Sequence, residues 1–94
     1  MQNDESSDES SLLIREILAY VVKHPDAKDT VDGIHKFWLS AQTAHQSRGK
    51  VREALEFLSE QKRWLTKKNA GGAVTLYSLD KDRVDEIQDF LHAS

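Results

Sequence analysis

The segment from Ser47 to Asp80 constrains the fold more than any other part of the chain. Its first half has one apolar stripe at helical spacing, formed by Val51, Ala54, Leu55 and Leu58. Two β-type runs follow at 64–68 and 74–79, and Gly71-Gly72 between them can adopt the positive φ angles of a tight turn. The segment therefore predicts an amphipathic helix that leads directly into a β-hairpin.

A two-residue turn at Gly71-Gly72 fixes the predicted register of this hairpin. The predicted pairs are Trp64 with Leu79, Thr66 with Tyr77, and Lys68 with Thr75, all on one face. The other face then carries Leu65, Lys67, Asn69, Val74 and Leu76. Neither face is uniformly polar, and a slip of one residue would exchange the two faces, so the pattern favours the hairpin more strongly than its register.

Three further helices are predicted from apolar periodicity and capping residues. The first begins after Ser10 or Ser11 and stops at His24-Pro25. The second begins after Thr30 and carries the apolar residues Ile34, Phe37, Trp38 and Leu39. The last begins after Asp80 or Asp82 and presents Val84, Ile87, Phe90 and Leu91 on one face.

The connections between these helices are polar. Residues 26–29 leave room for a short edge strand, and residues 40–46 are interpreted as the turn between the second and third helices. Phe37 and Trp38 are adjacent and cannot point the same way on a helix, so one of them is expected to be partly exposed, where it could mark a partner surface.

Together these elements predict an α+β, mainly α, domain with three helices, a two-stranded hairpin and an additional C-terminal helix. Residues 10–94 are expected to form this single domain, because 94 residues leave no room for a second, ligand-sensing domain. Residues 2–9 contain four acids and no apolar side chain, so we expect residues 1–9 to be a disordered acidic tail.

Several classes of function are disfavoured by the composition. Cysteine is absent, the four histidines are scattered, and no phosphate loop, dinucleotide fingerprint or nucleophile elbow is present. We therefore expect no metal, no cofactor and no enzymatic activity. No apolar run approaches the roughly 18 residues of a membrane span, so a cytoplasmic protein without a membrane partner is expected.

Charge is distributed unevenly along the chain. The net charge is −3, yet residues 48–68 hold seven bases and three acids, whereas residues 1–32 hold eight acids and three bases. Residues 69–94 hold five acids and two bases, so both flanks are negative. The basic middle coincides with the third helix and the first strand of the hairpin, which favours contact with an anionic partner at that place.

The order of helices and hairpin resembles the winged helix-turn-helix superfamily over roughly residues 11–80. The segment VREALEFLSEQKRWL is similar to the recognition helix of that superfamily with its first wing strand, and TLYSLD is similar to the second wing strand. The resemblance implies a DNA-reading third helix beside a wing that touches the backbone. It departs from the superfamily at residues 40–46, since a turn of about 3 to 4 residues is usual there.

The candidate DNA-binding residues fall in two groups. At the start of the third helix they are Gln46, Ser47, Arg48, Lys50 and Arg52, and before the hairpin turn they are Lys67, Lys68 and Asn69. An ordinary solvated helix face is the alternative for the first group, because Glu53 and Glu56 lie one turn from Lys50 or Arg52. Protection of an exposed strand edge is the alternative for the lysines.

Two functions are consistent with this pattern. The first is a small transcriptional regulator that binds double-stranded DNA, acting as a homodimer through its C-terminal helix or beside a protein partner. The second is a protein-interaction module on the same scaffold without nucleic-acid binding, favoured by overall acidity and by the glutamates of the third helix. A continuous positive strip from Arg48, Lys50 and Arg52 to Lys67 and Lys68 is required for the first.

Overall fold

The computed structural model describes the backbone of residues 5–93 and the side chains of residues 10–93. Within that range the chain forms a small α+β domain that is mainly helical, with four α-helices and a three-stranded antiparallel sheet. In chain order the elements are α1 (Glu5–Lys23), β1 (Lys28–Asp29), α2 (Val31–Phe37), α3 (Arg48–Glu56), a π-helical turn (Phe57–Gln61), β2 (Leu65–Asn69), β3 (Thr75–Leu79), a 3-10 turn (Lys81–Arg83) and α4 (Val84–His92).

The first helix is longer than the apolar pattern predicts. It begins at Glu5 instead of after Ser10 or Ser11. Extension of an existing helix requires no new nucleation, so polar residues can be added without burying a side chain. The predicted acidic tail covered residues 1–9, of which residues 1–4 lie outside the described part of the chain.

The predicted caps of the second and third helices and the apolar stripe of the third are confirmed, whereas α2 ends at Phe37, before Trp38 and Leu39. The Thr30 hydroxyl accepts from the Gly33 amide at 3.1 Å, and the Ser47 hydroxyl accepts from the Lys50 amide at 3.2 Å. The apolar stripe of α3 is buried against α1 and α2, together with Leu13, Ile17, Leu18, Val21, Ile34 and Trp38. Trp38 stacks on Tyr20, with ring centroids 4.8 Å apart, and its neighbour Phe37 is the exposed member of the pair at 67%.

The sheet has the strand order β1-β3-β2, so the edge strand that residues 26–29 could accommodate is present as β1. The predicted hairpin register is wrong by one residue. Leu65 lies opposite Leu79 and Lys67 lies opposite Tyr77, because a three-residue loop, 71–73, follows the pair formed by Ala70 and Val74. This register places Leu65, Tyr77 and Leu79 on one face, where all three are buried in the core.

The final helix packs on the core through the predicted face. Ile87 is fully buried, while Val84, Phe90 and Leu91 are partly buried against the core. The guanidinium of Arg15 on α1 donates to the carbonyls of Phe90 and Leu91 at 3.4 Å each, which satisfies the C-terminal end of α4. No helix within residues 5–93 has the length and apolar character to cross a membrane.

A carboxylate on α1 holds the long link between α2 and α3. Glu16 accepts from the backbone amide of Ser40 at 2.9 Å, from the Ser40 hydroxyl at 2.8 Å and from the Thr43 hydroxyl at 2.7 Å. His35 adds contacts from its Nε2 to the carbonyls of Ala44 and Gln46. Burial opposes ionisation of Glu16, but these hydrogen bonds outweigh it and hold the pKa of Glu16 below its ordinary value. The link is therefore packed onto the domain at both ends.

We expect Glu16→Gln to lower the free energy of unfolding by about 1 kcal/mol at neutral pH, since hydrogen bonds to a charged, partly exposed acceptor are lost or weakened. The lowered pKa of Glu16 stabilises the fold above its unfolded value near 4.5, and this contribution disappears as pH falls through the folded pKa. Urea unfolding at neutral and acid pH should therefore show a difference from wild type that shrinks in acid. Asp89→Asn, a change at an exposed carboxylate of α4, is the control, and an equal loss there would contradict this role for Glu16.

Two glycines in helices differ in the space around them, which gives a matched pair of predictions. A Cβ at Gly33 would collide with the carboxylate of Asp29, whose Oδ1 accepts from the Thr30 amide at 2.8 Å. A Cβ at Gly49 would meet only the Ser47 hydroxyl, at 3.9 Å. Both substitutions gain about 0.5 to 1 kcal/mol of stability through helix propensity, but in Gly33→Ala the displaced hydrogen bond costs about 1 kcal/mol and offsets that gain. We therefore expect Gly49→Ala to raise the melting temperature and Gly33→Ala to leave it unchanged or lower it. Thermal unfolding of the two variants measures this, and equal stabilisation by both would contradict the close packing of Asp29.

Candidate functional site

A groove of about 620 Å³ lies between α3 and the hairpin, and is called the hairpin groove below. One wall is Arg48, Arg52 and Glu56 of α3, the opposite wall is residues 67, 69, 73–75 and 77 of the hairpin, and residues 30–32 at the start of α2 close one side. Four of the eight candidate residues therefore come together here, namely Arg48, Arg52, Lys67 and Asn69.

Lys67 is held by two glutamates within this site. Its Nζ donates to Glu56 Oε1 at 2.8 Å and to Glu60 Oε2 at 2.6 Å. The hydroxyl of Tyr77, which lies opposite Lys67 in the sheet, donates to the other oxygen of Glu56 at 2.7 Å. One ammonium is thus shared by two carboxylates, so Lys67 carries no unneutralised positive charge towards a partner.

The protonation of these groups follows from their contacts. Hydrogen bonds from Lys67 and then from Tyr77 lower the pKa of Glu56, and hydrogen bonds to Glu56 and Glu60 raise the pKa of Lys67. Burial, followed by the hydrogen bond to Glu56, raises the pKa of Tyr77 to about 12. At neutral pH Glu56 is therefore ionised, Lys67 is an ammonium and the Tyr77 phenol is protonated.

The two arginines of the groove differ in their partners. Arg48 Nε donates to the carboxylate of Asp32 at the start of α2, in an ion pair whose side chains are 54% and 72% exposed. Arg52 is exposed and takes part in no ion pair among residues 10–93. The guanidinium of Arg52 is therefore the cation that the groove offers most directly to a ligand.

Two of the predicted bases lie on other surfaces. Lys50 faces α1 and lines a separate shallow groove with Ile14, Glu53 and Phe57. Lys68 alternates with Lys67 along β2, so its exposed side chain lies on the opposite face of the hairpin. The continuous positive strip that DNA binding requires is thus divided between three surfaces.

The polar candidates make contacts within the domain. Gln46 is only 7% exposed, and its backbone carbonyl contacts His35 Nε2 at 2.8 Å. The Ser47 hydroxyl is used to cap α3, and the Asn69 Oδ1 accepts from the Gly71 amide at 2.9 Å in the hairpin loop. Asn69 nevertheless contributes to the lining of the groove.

The carboxylates that decide the character of the groove were not predicted in this role. In the alternative interpretation of α3 as a solvated face, Glu56 could pair with Lys50 or Arg52, whereas it contacts Lys67 and Tyr77 of the hairpin. Glu60 lies in the π-helical turn that follows α3. The sequence did contain a signal for this cluster, because Glu56 and Glu60 are spaced to lie on one helical face and a lysine-bearing strand follows. Only the correct register of the hairpin, however, shows that Lys67 and Tyr77 face these glutamates.

The hairpin also brings an apolar side chain to the groove. Val74 stands at the end of the loop and is 46% exposed, next to Ala73, which is also exposed. The groove therefore combines guanidinium donors on the α3 wall with an apolar contact on the hairpin wall.

The described residues contain no group of three or more His, Asp or Glu side chains placed to hold a metal ion. Comparison with known proteins adds no relative, since no family model, curated protein or solved structure matches the chain.

Proposed function

We propose that this domain is a protein-interaction module on a winged-helix scaffold, and that it binds its partner in the hairpin groove. The observation that carries this proposal is the neutralisation of the expected DNA surface by acids. Glu56 and Glu60 engage Lys67, and Asp32 engages Arg48. A duplex presents about one negative charge per 1.7 Å of axis, and it would meet these three carboxylates at the place where it needs bases.

The proposal of a winged-helix scaffold rests on the order of the elements. An α3 capped by Ser47 leads through one π-helical turn into β2, and the β2–β3 hairpin lies beside the exposed face of α3. In this scaffold the space between third helix and wing is the surface that nucleic-acid binders use. A groove at that place with mixed charge and an exposed valine suits a polypeptide better than a phosphate backbone.

Selection from a random-peptide display library on the immobilised full chain tests the proposal. We expect enriched peptides that bind wild type and lose binding to the groove variant Arg52→Glu/Val74→Asp. They should bind the control Lys68→Glu as they bind wild type, because Lys68 lies on the opposite face of the hairpin. A selection without enrichment, or peptides that bind the groove variant unchanged, would contradict the proposal.

DNA binding in a cytoplasmic transcriptional regulator is the second candidate function. The observation in its favour is the exposed Arg52, which shares the α3 wall with the half-exposed Arg48. The apolar face of α4 packs against the core, so little of it remains exposed for the dimer contact that the sequence suggested. A homodimer or partner complex at α4 would therefore use its exposed polar face.

A further inference from the structure

The chemistry of the hairpin groove also specifies the class of partner. We infer that the groove takes an extended peptide segment in which acidic and apolar residues alternate, an inference that rests on the proposed protein-interaction function. Its basis is the balance of donors and acceptors in the groove, the position of Val74, and the spacing of Arg48 and Arg52.

The groove has an excess of unused hydrogen-bond donors. Both oxygens of Glu56 are engaged, by Lys67 and by Tyr77, and one oxygen of Asp32 accepts from Arg48. The guanidinium of Arg52 remains, and Arg48 uses only its Nε toward Asp32. A guanidinium offers five N–H donors in a planar fork that fits carboxylates. These donors outnumber the one oxygen that Asp32 leaves open, so they fit a ligand with acceptors, and two carboxylates match the two arginines.

The spacing of the arginines selects the conformation of that ligand. Arg48 and Arg52 are four residues apart on α3, which corresponds to about 6 Å along a helix with a rise of about 1.5 Å per residue. Alternate residues of an extended chain lie about 6.6 Å apart and point to the same side. Two acidic residues separated by one residue would thus face the two guanidinium groups together.

The hairpin wall favours an apolar residue between the two acids. In an extended chain, neighbouring side chains point in opposite directions. When the acids face α3, the side chain between them therefore points toward the hairpin wall. Val74 stands on that wall and is 46% exposed, so an apolar residue there would remove the valine from water. A phosphate group offers no apolar surface for this contact, whereas an aliphatic side chain does, which favours a peptide over nucleic acid.

Fluorescence anisotropy with three labelled pools of short peptides tests the inference on the full chain. In the first pool Glu alternates with Leu or Val, in the second Gln replaces Glu, and in the third the Glu residues are adjacent instead of alternating. Wild type should bind the alternating acidic pool at least about tenfold more tightly than either other pool, a difference of about 1.4 kcal/mol. Arg52→Gln should weaken that binding about tenfold or more, and high salt should weaken it too.

Lys68→Gln is the matched control, because it removes one positive charge from β2 on the face away from the groove. It should leave binding of the alternating pool unchanged. The inference would be overturned if the Gln pool or the pool with adjacent Glu residues bound as tightly as the alternating acidic pool, or if no pool bound. Equal effects of Arg52→Gln and Lys68→Gln on binding of the alternating acidic pool would also overturn it.

The failure of this inference can be distinguished from failure of the proposed function. If the Gln pool binds and Val74→Asp abolishes that binding, the acidic partner is ruled out but the protein-interaction groove is retained. If mixed-sequence duplex DNA binds in a way that depends on Arg52, and no peptide binds, the acidic partner and the protein-interaction function are both ruled out.

Discussion

Replacing three carboxylates around the hairpin groove should convert the domain into a DNA-binding protein. The variant Asp32→Asn/Glu56→Gln/Glu60→Gln removes the ionic partners that Arg48 and Lys67 have among residues 10–93, beside Arg52, which has no ion pair in that range. Glutamine at position 56 keeps an acceptor for the Tyr77 hydroxyl, so the cluster retains its packing. We expect affinity for mixed-sequence duplex DNA at low salt to rise at least about tenfold. The plot of log affinity against log salt should steepen by about 1.8, since two freed cations each contribute about 0.9.

A control must separate the local effect from the change in net charge. The variant Glu53→Gln/Asp85→Asn/Asp89→Asn also removes three exposed acids, and none of them lines the hairpin groove. It should gain much less affinity for DNA than the groove variant. Equal gains in the two variants would show that net charge alone governs binding, and no gain in the groove variant would show that the three carboxylates are not what excludes DNA.

The largest loss of stability is expected for Trp64→Ala. Trp64 is buried, its indole N–H donates to Glu86 Oε1 at 3.0 Å, and its ring centroid lies 5.3 Å from that of Phe90. Removing a buried tryptophan costs about 3 to 5 kcal/mol, which is a large part of the roughly 5 to 15 kcal/mol that stabilises a small domain. Urea unfolding followed by circular dichroism measures this loss.

Trp64→Phe is the companion variant, because it keeps most of the apolar volume while it removes the hydrogen bond to Glu86. We expect it to cost about 1 to 2 kcal/mol, and therefore clearly less than the alanine variant. If the two substitutions had equal costs, Trp64 would contribute through its polar contact alone and would not anchor α4 to the core.

Local signals in the sequence were sufficient to predict most helices and strands. Thr30 and Ser47 cap the helices that they were expected to cap, and Asp80 accepts from the Asp82 amide at the 3-10 turn before α4. The apolar stripe of α3 is buried as expected. These features depend on residues within one or two helical turns of each other, so they can be predicted from the order of residues along the chain.

The site was harder to predict because it depends on contacts between distant parts of the chain. With the expected register, Tyr77 lay on the same face as Lys68, and the carboxylate of Glu56 had no visible partner outside its own helix. The three-residue loop exchanges the faces and brings Tyr77 to the side of Lys67. A shift of one residue in the register thus decides whether Lys67 is expected to be a free base of the hairpin or to be paired with Glu56 and Glu60.

The long link before α3 illustrates the same limit. Residues 40–46 were interpreted as the turn between the second and third helices because they are small and polar, and nothing in that stretch indicates its partner. Glu16, more than twenty residues earlier in the chain, holds Ser40 and Thr43. A carboxylate on an exposed part of an amphipathic helix is normally solvated, so only the packed structure identifies this contact.

Amide chemical-shift mapping of the isotope-labelled full chain tests directly whether the hairpin groove binds a polypeptide and not DNA. The labelled chain would be titrated separately with the alternating acidic peptide pool and with mixed-sequence duplex at low salt. We expect the peptide pool to shift the amides of Arg52, Val74 and Thr75, and the duplex to leave them unchanged. Saturable shifts of these amides by the duplex, with none from the peptide pool, would contradict a polypeptide-binding groove.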